Sequence, residues 1–137
     1  MGSQCGSRSP RKFVLSVPRL GAAWSEPPSY PSWVAGLAHR SPGGADRGRY
    51  ALRRVRLGDE LELDLEPDNA DDPRAVAIYH GDFHLGYVPE RHDWVAESLN
   101  KGDTLLVIVT AIEISGFLSF RRVTNLLITI SVIADGD

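Results

Sequence analysis

Apolar and polar residues alternate most regularly in the middle of the chain, in Leu61-Glu62-Leu63-Asp64-Leu65. Because successive side chains of a strand point to opposite faces, this period of two turns the leucines toward a core and the acids toward water. Two longer runs, Thr104 to Ile114 and Asn125 to Ile133, are rich in Ile, Val, Leu and Thr. These residue types favour strands, so the pattern predicts a sheet.

A hairpin is predicted between the alternating segment and the long runs. The segments 75–79 and 83–88 are apolar enough to be strands, and Gly81-Asp82 between them suits a tight turn. Such a turn sets the register of the two strands and gives the hairpin one apolar face. The expected cross-strand pairs are Ile78 with Leu85 and Val76 with Tyr87.

One main helix is predicted after this hairpin, at about residues 90–101. Pro89 suits the first turn of a helix, Val95 and Leu99 recur at a spacing of four, and Gly102 supplies a C-terminal stop. Several short strands with one helix and turns between them indicate a mainly β, α+β domain. We expect a small β-barrel of SH3-like or OB-like character.

The first part of the chain has a different composition. Residues 1–31 are predicted to form a leader or linker, partly disordered, because residues 1–11 offer almost nothing to bury and residues 25–31 are rich in Pro and Ser. A short strand is predicted at Phe13 to Val17, before Pro18. The domain itself is assigned to residues 32–137, with a flexible loop at 41–48.

Length and cysteine content narrow the class of protein. A chain of 137 residues has room for one modest core. Its single cysteine, Cys5, excludes an internal disulfide, and no apolar run approaches the ~18 residues that span a bilayer. We therefore expect a cytoplasmic protein without membrane association.

Charge is distributed unevenly along the chain. Residues 1–56 contain 10 Lys and Arg against 2 Asp and Glu, whereas residues 57–137 contain 5 against 16. The net charges of +8 and −11 leave two interpretations open. The basic segment either binds phosphates or pairs with the acidic body within the fold.

The segment from Glu66-Pro67-Asp68-Asn69 through Asp72-Pro73 to Leu85-Gly86-Tyr87-Val88-Pro89 resembles the HIRAN domain family. The family pattern is a strand ending in Glu-Pro, an Asp-Asn-Pro-x-Asp turn, a second strand, and a Gly-Tyr-[Val/Ile]-Pro strand that leads into a helix. The resemblance covers roughly residues 33 to 135, with a first strand at 34–37 and a second at 57–63. It implies a nucleic-acid-binding module that captures a 3′ end of single-stranded DNA.

Carried over to this chain, the resemblance implies that Asn69 and Asp72 face the terminal nucleotide and that Tyr87 contacts the nucleic acid. An Asn or Asp side chain can bond a terminal sugar hydroxyl, and aromatic faces stack on bases. The structural alternative for Asn69 and Asp72 is an Asx-turn that satisfies backbone N–H groups. Further candidates for binding are His39, Arg40, Arg91 and Phe117.

Two departures from the family pattern affect this site. Gly36-Leu37 is followed by Ala38-His39-Arg40 rather than by Arg and two aromatic residues, and Asp71 replaces the aromatic residue of the turn. Other basic candidates, for each of which a solvated surface position is the favoured interpretation, are Arg47, Arg49, Arg53, Arg54, Arg56, Arg121 and Arg122.

Catalysis is not expected, because no nucleophile motif or P-loop is present. His80 and His84 have a metal-ligand spacing, but across a tight hairpin they would point to opposite faces, so neither a metal nor another cofactor is predicted. The preferred function is a non-catalytic module for single-stranded DNA ends or damaged and stalled-fork DNA, with a DNA-processing protein as a further partner. The alternatives are a protein-interaction barrel that docks an acidic partner and, third, a metal-dependent nuclease.

Overall fold

A computed structural model of the protein describes residues 13–16 and 28–136. The predicted disorder of the leader concerns mainly residues 1–12 and 17–27, which lie outside the described residues, as does Cys5. The strands are β1 (Phe13–Ser16), β2 (Ser29–Trp33), β3 (Glu60–Leu65), β4 (Val76–His80), β5 (Phe83–Tyr87), β6 (Thr104–Ser115) and β7 (Arg122–Ala134). The helices are α1 (Arg47–Arg54) and α2 (Trp94–Asn100), with 3₁₀ turns at Glu90–His92 and Leu118–Phe120.

The strands form one antiparallel sheet in the order β2-β7-β6-β3-β4-β5. The long hairpin of β6 and β7 is its centre, and it runs from Thr104 opposite Ala134 to Ser115 opposite Arg122, with three shifts of register along the way. On its other edge β6 pairs with β3 at residues 107–108 and with β1 at residues 111–114. The order leaves β2 and β5 at the two edges of the sheet.

A single bridge connects those two edges. Beyond β2, Ala35 exchanges two backbone hydrogen bonds with Tyr87 of β5, at 2.8 and 2.9 Å. The preceding Val34 still donates to Leu126 of β7 at 3.0 Å. Gly36 then turns the chain away with a φ of +94°, which ends the pairing after one residue. The sheet therefore curls like a barrel without closing.

The core fills the inside of this curl. Alternation in β3 is as the sequence indicates, because Leu61 is buried while Glu60, Glu62 and Asp64 are exposed. The helix α2 adds Val95 and Ala96, both buried. The largest fully buried side chains are Ile78, Leu85, Val95, Val107, Val109, Val123, Leu126, Ile128 and Ile130.

The helix α1 begins at a side-chain cap. Asp46 accepts a hydrogen bond from the Arg49 N–H at 3.1 Å, and its carboxylate also pairs with Arg122 of β7. Ala51 packs at zero exposure on the inner side of the helix. Gly48 lies so close to β7 that a Cβ there would stand 2.9 Å from the Val123 carbonyl oxygen. These contacts fix α1 against the central hairpin.

The predicted fold class is confirmed, with two short helices instead of one. The predicted helix at 90–101 is present as the turn Glu90–His92 followed by α2. The predicted C-terminal boundary of the loop at 41–48 was wrong, because α1 already starts at Arg47. No helix in the described ranges is long and apolar enough to cross a membrane.

Other boundaries and one register differ from the predictions. Residues 34–37 were predicted as a strand but form a bridge and a turn, whereas β2 begins at Ser29, inside the predicted linker. The second strand starts later than 57, because Gly58 turns the chain with a φ of +86°. A bulge between Ile78 and Tyr79 changes the predicted hairpin pairs. The observed pairs are Ala77 with Tyr87, Ile78 with Gly86, Tyr79 with His84 and His80 with Phe83.

Candidate nucleic-acid interface

A groove of about 600 Å³ opens between the β3–β4 turn, the end of β5 and the 3₁₀ turn after it. It brings together three of the predicted site residues, Asn69, Asp72 and Tyr87. They meet because the turn and the Gly-Tyr strand belong to adjacent strands of one sheet. Ala35 and His92 complete its inner wall.

Asn69 and Asp72 shape the turn that carries them. The Asn69 side-chain oxygen accepts hydrogen bonds from the N–H groups of Asp71 and Asp72, at 2.9 and 3.1 Å. One oxygen of Asp72, Oδ1, accepts from the Arg74 N–H at 2.9 Å. Both side chains thus form the Asx-turn of the structural alternative. The second oxygen of Asp72 has no hydrogen-bond partner among residues 28–136.

Glu66 links the turn to the strand. Its Oε1 accepts a hydrogen bond from the Tyr87 hydroxyl at 3.1 Å and another from the Asn69 amide at 3.0 Å. Burial, together with the negative charge of Glu66 and the bond to it, raises the pKa of Tyr87, so the hydroxyl stays protonated and donates. Sequence reasoning missed this role of Glu66, although the residue stands directly before Pro67 in the family pattern.

Behind Tyr87 lies a buried arginine, Arg47, which is only 4% exposed. Its guanidinium donates to the carbonyl oxygens of His84 and Gly36, at 3.1 and 3.2 Å, and contacts His84 Nδ1 at 2.6 Å. The prediction of Arg47 as a surface cation was wrong, because it is the first residue of α1 and faces inward. It therefore fixes β5 and the Gly36 turn to α1.

His84 is neutral in this setting. It is 7% exposed, and burial, followed by the charge of Arg47, lowers the pKa of its imidazole. Since Arg47 only donates, Nδ1 accepts and the proton lies on Nε2, which is buried without a hydrogen-bond partner in the described part of the chain. The ring packs edge-on against Tyr87 at 4.8 Å between ring centroids.

We expect the protein to lose stability as the pH falls below about 6.5, the ordinary pKa of histidine. In that range the unfolded state takes up a proton at His84 while the folded imidazole does not, so the free energy of unfolding falls by up to about 1.4 kcal/mol per pH unit. Urea unfolding between pH 7 and pH 5 measures this slope. His84→Gln should flatten it, whereas His39→Gln at an exposed turn should not, and equal slopes in both variants would contradict the assignment.

The rim of the groove is acidic. Its carboxylates are Asp71, Asp72, Glu90 and Asp93, against one arginine, Arg74. That arginine is already paired, at 3.0 Å from Glu97 and 3.6 Å from Asp93. The groove therefore attracts hydrogen-bond donors and repels phosphates.

The other predicted site residues do not line the groove. His39 is exposed in the turn after Gly36, and Arg40 donates to the Gly44 carbonyl oxygen at 2.8 Å. Arg91 is exposed beside the groove, with its guanidinium 5.7 Å from the centre of the Trp33 ring. Phe117 lies at the tip of the β6–β7 hairpin and is 73% exposed, like its neighbours Leu118 (73%) and Phe120 (75%).

The two histidines of the hairpin have separate partners. His80 bonds Asp59 through Nε2 and the Tyr50 hydroxyl through Nδ1, each at 2.9 Å, whereas His84 contacts Arg47. Within the described ranges, no three His, Cys, Asp or Glu side chains are grouped so that they could hold a metal ion.

Comparisons with known proteins agree with this architecture. The family model described as the HIRAN domain matches residues 34–121, more than half of the chain. A structure of a protein from Lactobacillus plantarum is 18% identical with a TM-score of 0.51, covering 88% of this chain and 98% of that chain. The HIRAN domain of human HLTF is also 18% identical, with a TM-score of 0.49 over 76% of this chain and 75% of that one. No curated protein matches significantly.

Proposed function

This chain belongs to the HIRAN domain family, which is known for DNA binding, and from that membership we propose that it holds the 3′ end of single-stranded DNA in its groove. The observation that carries the proposal is the meeting of Asn69, Asp72 and Tyr87 around one groove. HIRAN domains are in general non-catalytic, and we propose the same here. A module that holds DNA ends would act beside proteins that process them.

The charges of the groove support a terminal hydroxyl as the group that enters it. The unpartnered oxygen of Asp72 can accept a hydrogen bond from a sugar hydroxyl, a charge-assisted bond that is stronger than a neutral one. A phosphate would instead meet Asp71, Asp72 and Asp93, with no free cation among the described residues that line the groove. In a strand that carries a 5′ phosphate, the 3′ end is the end that presents a sugar hydroxyl and no terminal phosphate.

The absence of the family's aromatic pair makes Tyr87 the main stacking surface. Among the described residues that line the groove, it is the only Phe, Tyr or Trp. Stacking on an aromatic ring tolerates any base, so the groove provides no reading of sequence. We therefore propose binding that selects an end and its hydroxyl rather than a particular base.

We expect a strand with a free 3′ hydroxyl to bind about fivefold to tenfold more tightly than the same strand with a 3′ phosphate. The phosphate loses the charge-assisted hydrogen bond to Asp72 and is repelled by its carboxylate, which together should cost at least about 1 kcal/mol. Asp72→Asn should reduce this preference to about twofold, because the amide oxygen still closes the turn but carries no charge. Fluorescence polarisation with labelled oligonucleotides measures both.

Asp68→Asn is the matched control, since Asp68 is an exposed carboxylate of the same turn that does not line the groove. Equal affinity of the wild type for both ends would refute end capture. Absence of any binding at low salt would refute the DNA proposal as a whole.

A second candidate function is docking of an acidic protein partner. The observation that favours it is the exposed apolar tip of Phe117, Leu118 and Phe120, which is followed directly by Arg121. Apolar side chains exposed together often mark a protein contact. Tighter binding to an acidic peptide that contains leucine and phenylalanine than to an oligonucleotide of equal charge would favour this candidate.

A further inference from the structure

The acidic groove leaves the phosphates of a bound strand without a counter-charge. Arg74, the one arginine among the described residues that line it, is paired with two carboxylates. Nucleic-acid binding nevertheless draws much of its affinity from cations that neutralise phosphates and release counterions. If the proposed function holds, on which this inference rests, the phosphates contact another part of the surface.

Positive charge is available on α1, on the residues just after it and at the tip of the β6–β7 hairpin. The arginines there are Arg49, Arg53, Arg54, Arg56 and Arg121. In the described part of the chain no carboxylate lies within ion-pair distance, 4.0 Å, of any of them, whereas Arg122 is paired with Asp46.

The helix orients two of these arginines together. Arg49 and Arg53 are four residues apart, so they lie on one face of α1, about 6 Å apart along its axis. The opposite side of the helix faces the sheet, as buried Gly48 and Ala51 show. Arg49 also donates to the Ser119 carbonyl oxygen at 2.7 Å, which joins the helix to the hairpin tip where Arg121 stands.

The same helix begins next to the groove. Its first residue, Arg47, is bonded to the Gly36 and His84 carbonyl oxygens, and the His84 ring packs against Tyr87. The buried Arg47 side chain therefore links the start of α1 directly to β5, the strand that carries the Tyr87 ring. A strand whose 3′ end enters the groove has this basic surface on the side of the protein to which the nucleotides preceding that end can run.

We propose that Arg49, Arg53 and Arg121 form a phosphate-binding surface for nucleic acid, separate from the groove that holds the strand end. Guanidinium groups suit this role because their planar forks donate two parallel hydrogen bonds to one phosphate. In this arrangement the acidic groove binds the hydroxyl end of the strand, and the arginines of α1 and the hairpin tip bind its phosphate backbone.

The test is the salt dependence of oligonucleotide binding, measured by fluorescence polarisation between about 50 and about 200 mM salt. For a single strand, the plot of log K against log salt has a negative slope, and its magnitude should decrease by about 0.7 for each lost phosphate contact. It should therefore decrease by about 1.4 in Arg49→Gln/Arg53→Gln. Arg53→Gln/Arg121→Gln should give the same loss and leaves the Arg49–Ser119 bond in place. Arg49→Lys/Arg53→Lys should retain the slope.

Lys101→Gln is the control, because Lys101 is an exposed cation that lies neither on α1 nor at the groove, and the slope should stay unchanged. If Arg74→Gln/Arg91→Gln, which removes two cations at or beside the groove, lowers the slope while the α1 variants keep it, the phosphates do not bind at α1 and the proposed function stands. If the wild type binds no oligonucleotide at low salt, the proposed function itself fails. The inference would also be overturned, in favour of a lipid surface, if the α1 variants lost binding to phosphatidylserine vesicles but kept the oligonucleotide slope of the wild type.

Discussion

Replacing Gly86 with alanine is expected to destabilise the protein by about 3 kcal/mol or more, as overpacking against backbone does. A Cβ at this position would overlap the Ala35 carbonyl oxygen and would stand 2.6 Å from Val34 Cγ1. Neither neighbour can retreat freely, because Val34 is bonded to β7 and Ala35 to Tyr87. Urea unfolding monitored by tryptophan fluorescence measures the change.

The effect of Gly86→Ala should extend to the groove. Ala35 lines the groove and holds the backbone of Tyr87, so the variant should also bind oligonucleotides poorly at temperatures where it is still folded. Gly43→Ala, in an exposed loop with no atom closer than 4.0 Å to the new Cβ, is the control and should change stability by no more than about 0.5 kcal/mol. A stable Gly86→Ala protein would show that residues 34–35 do not cross β5 as described.

Tyr87→Ala is expected to weaken binding of single-stranded DNA by about tenfold to a hundredfold, the equivalent of about 1–3 kcal/mol for one lost stacking platform. The loss should be independent of sequence, because every base offers a face to the ring. Tyr87→Phe keeps the ring and removes only the bond to Glu66, so its affinity should fall by about threefold or less. Polarisation titrations of the three proteins measure the difference.

Tyr30→Ala is the control for this experiment. Tyr30 is also partly exposed, but it packs on Trp94 and does not line the groove. Its affinity should match that of the wild type. If Tyr87→Ala binds as tightly as Tyr30→Ala, the groove is not where the nucleic acid stacks.

The parts of the fold that the sequence predicts well are those set by local patterns. These are the alternation around Leu61 and Leu63, the hairpin turn at Gly81 and the apolar runs of β6 and β7. Each can be recognised from a few consecutive residues. Asn69, Asp72 and Tyr87 meet for a related reason, since the β3–β4 turn leads into β4 and Tyr87 lies on β5, the neighbour of β4 in the sheet.

The parts that the sequence does not predict depend on tertiary contacts. The segment of α1 contains Gly48 and four arginines, a composition typical of a loop, and only the cap at Asp46 and packing on β7 make it a helix. The bulge opposite Ile78 and Tyr79 shifts the pairing by one residue at Leu85, and the adjacent Gly86 does not by itself fix where the shift falls. Nothing local distinguishes Arg47, buried beside His84, from Arg53, Arg54 and Arg56, which are exposed.

The bridge between Ala35 and Tyr87 links ligand binding to the pairing of the two edges of the sheet. Two backbone hydrogen bonds join the end of β5 to the segment after β2, and the residue that they hold also carries the stacking ring. A ligand that requires Tyr87 in place must favour the bridged arrangement by the same free energy that the bridge contributes to its affinity. A bound DNA end would therefore hold the two edges of the sheet together for as long as it stays bound.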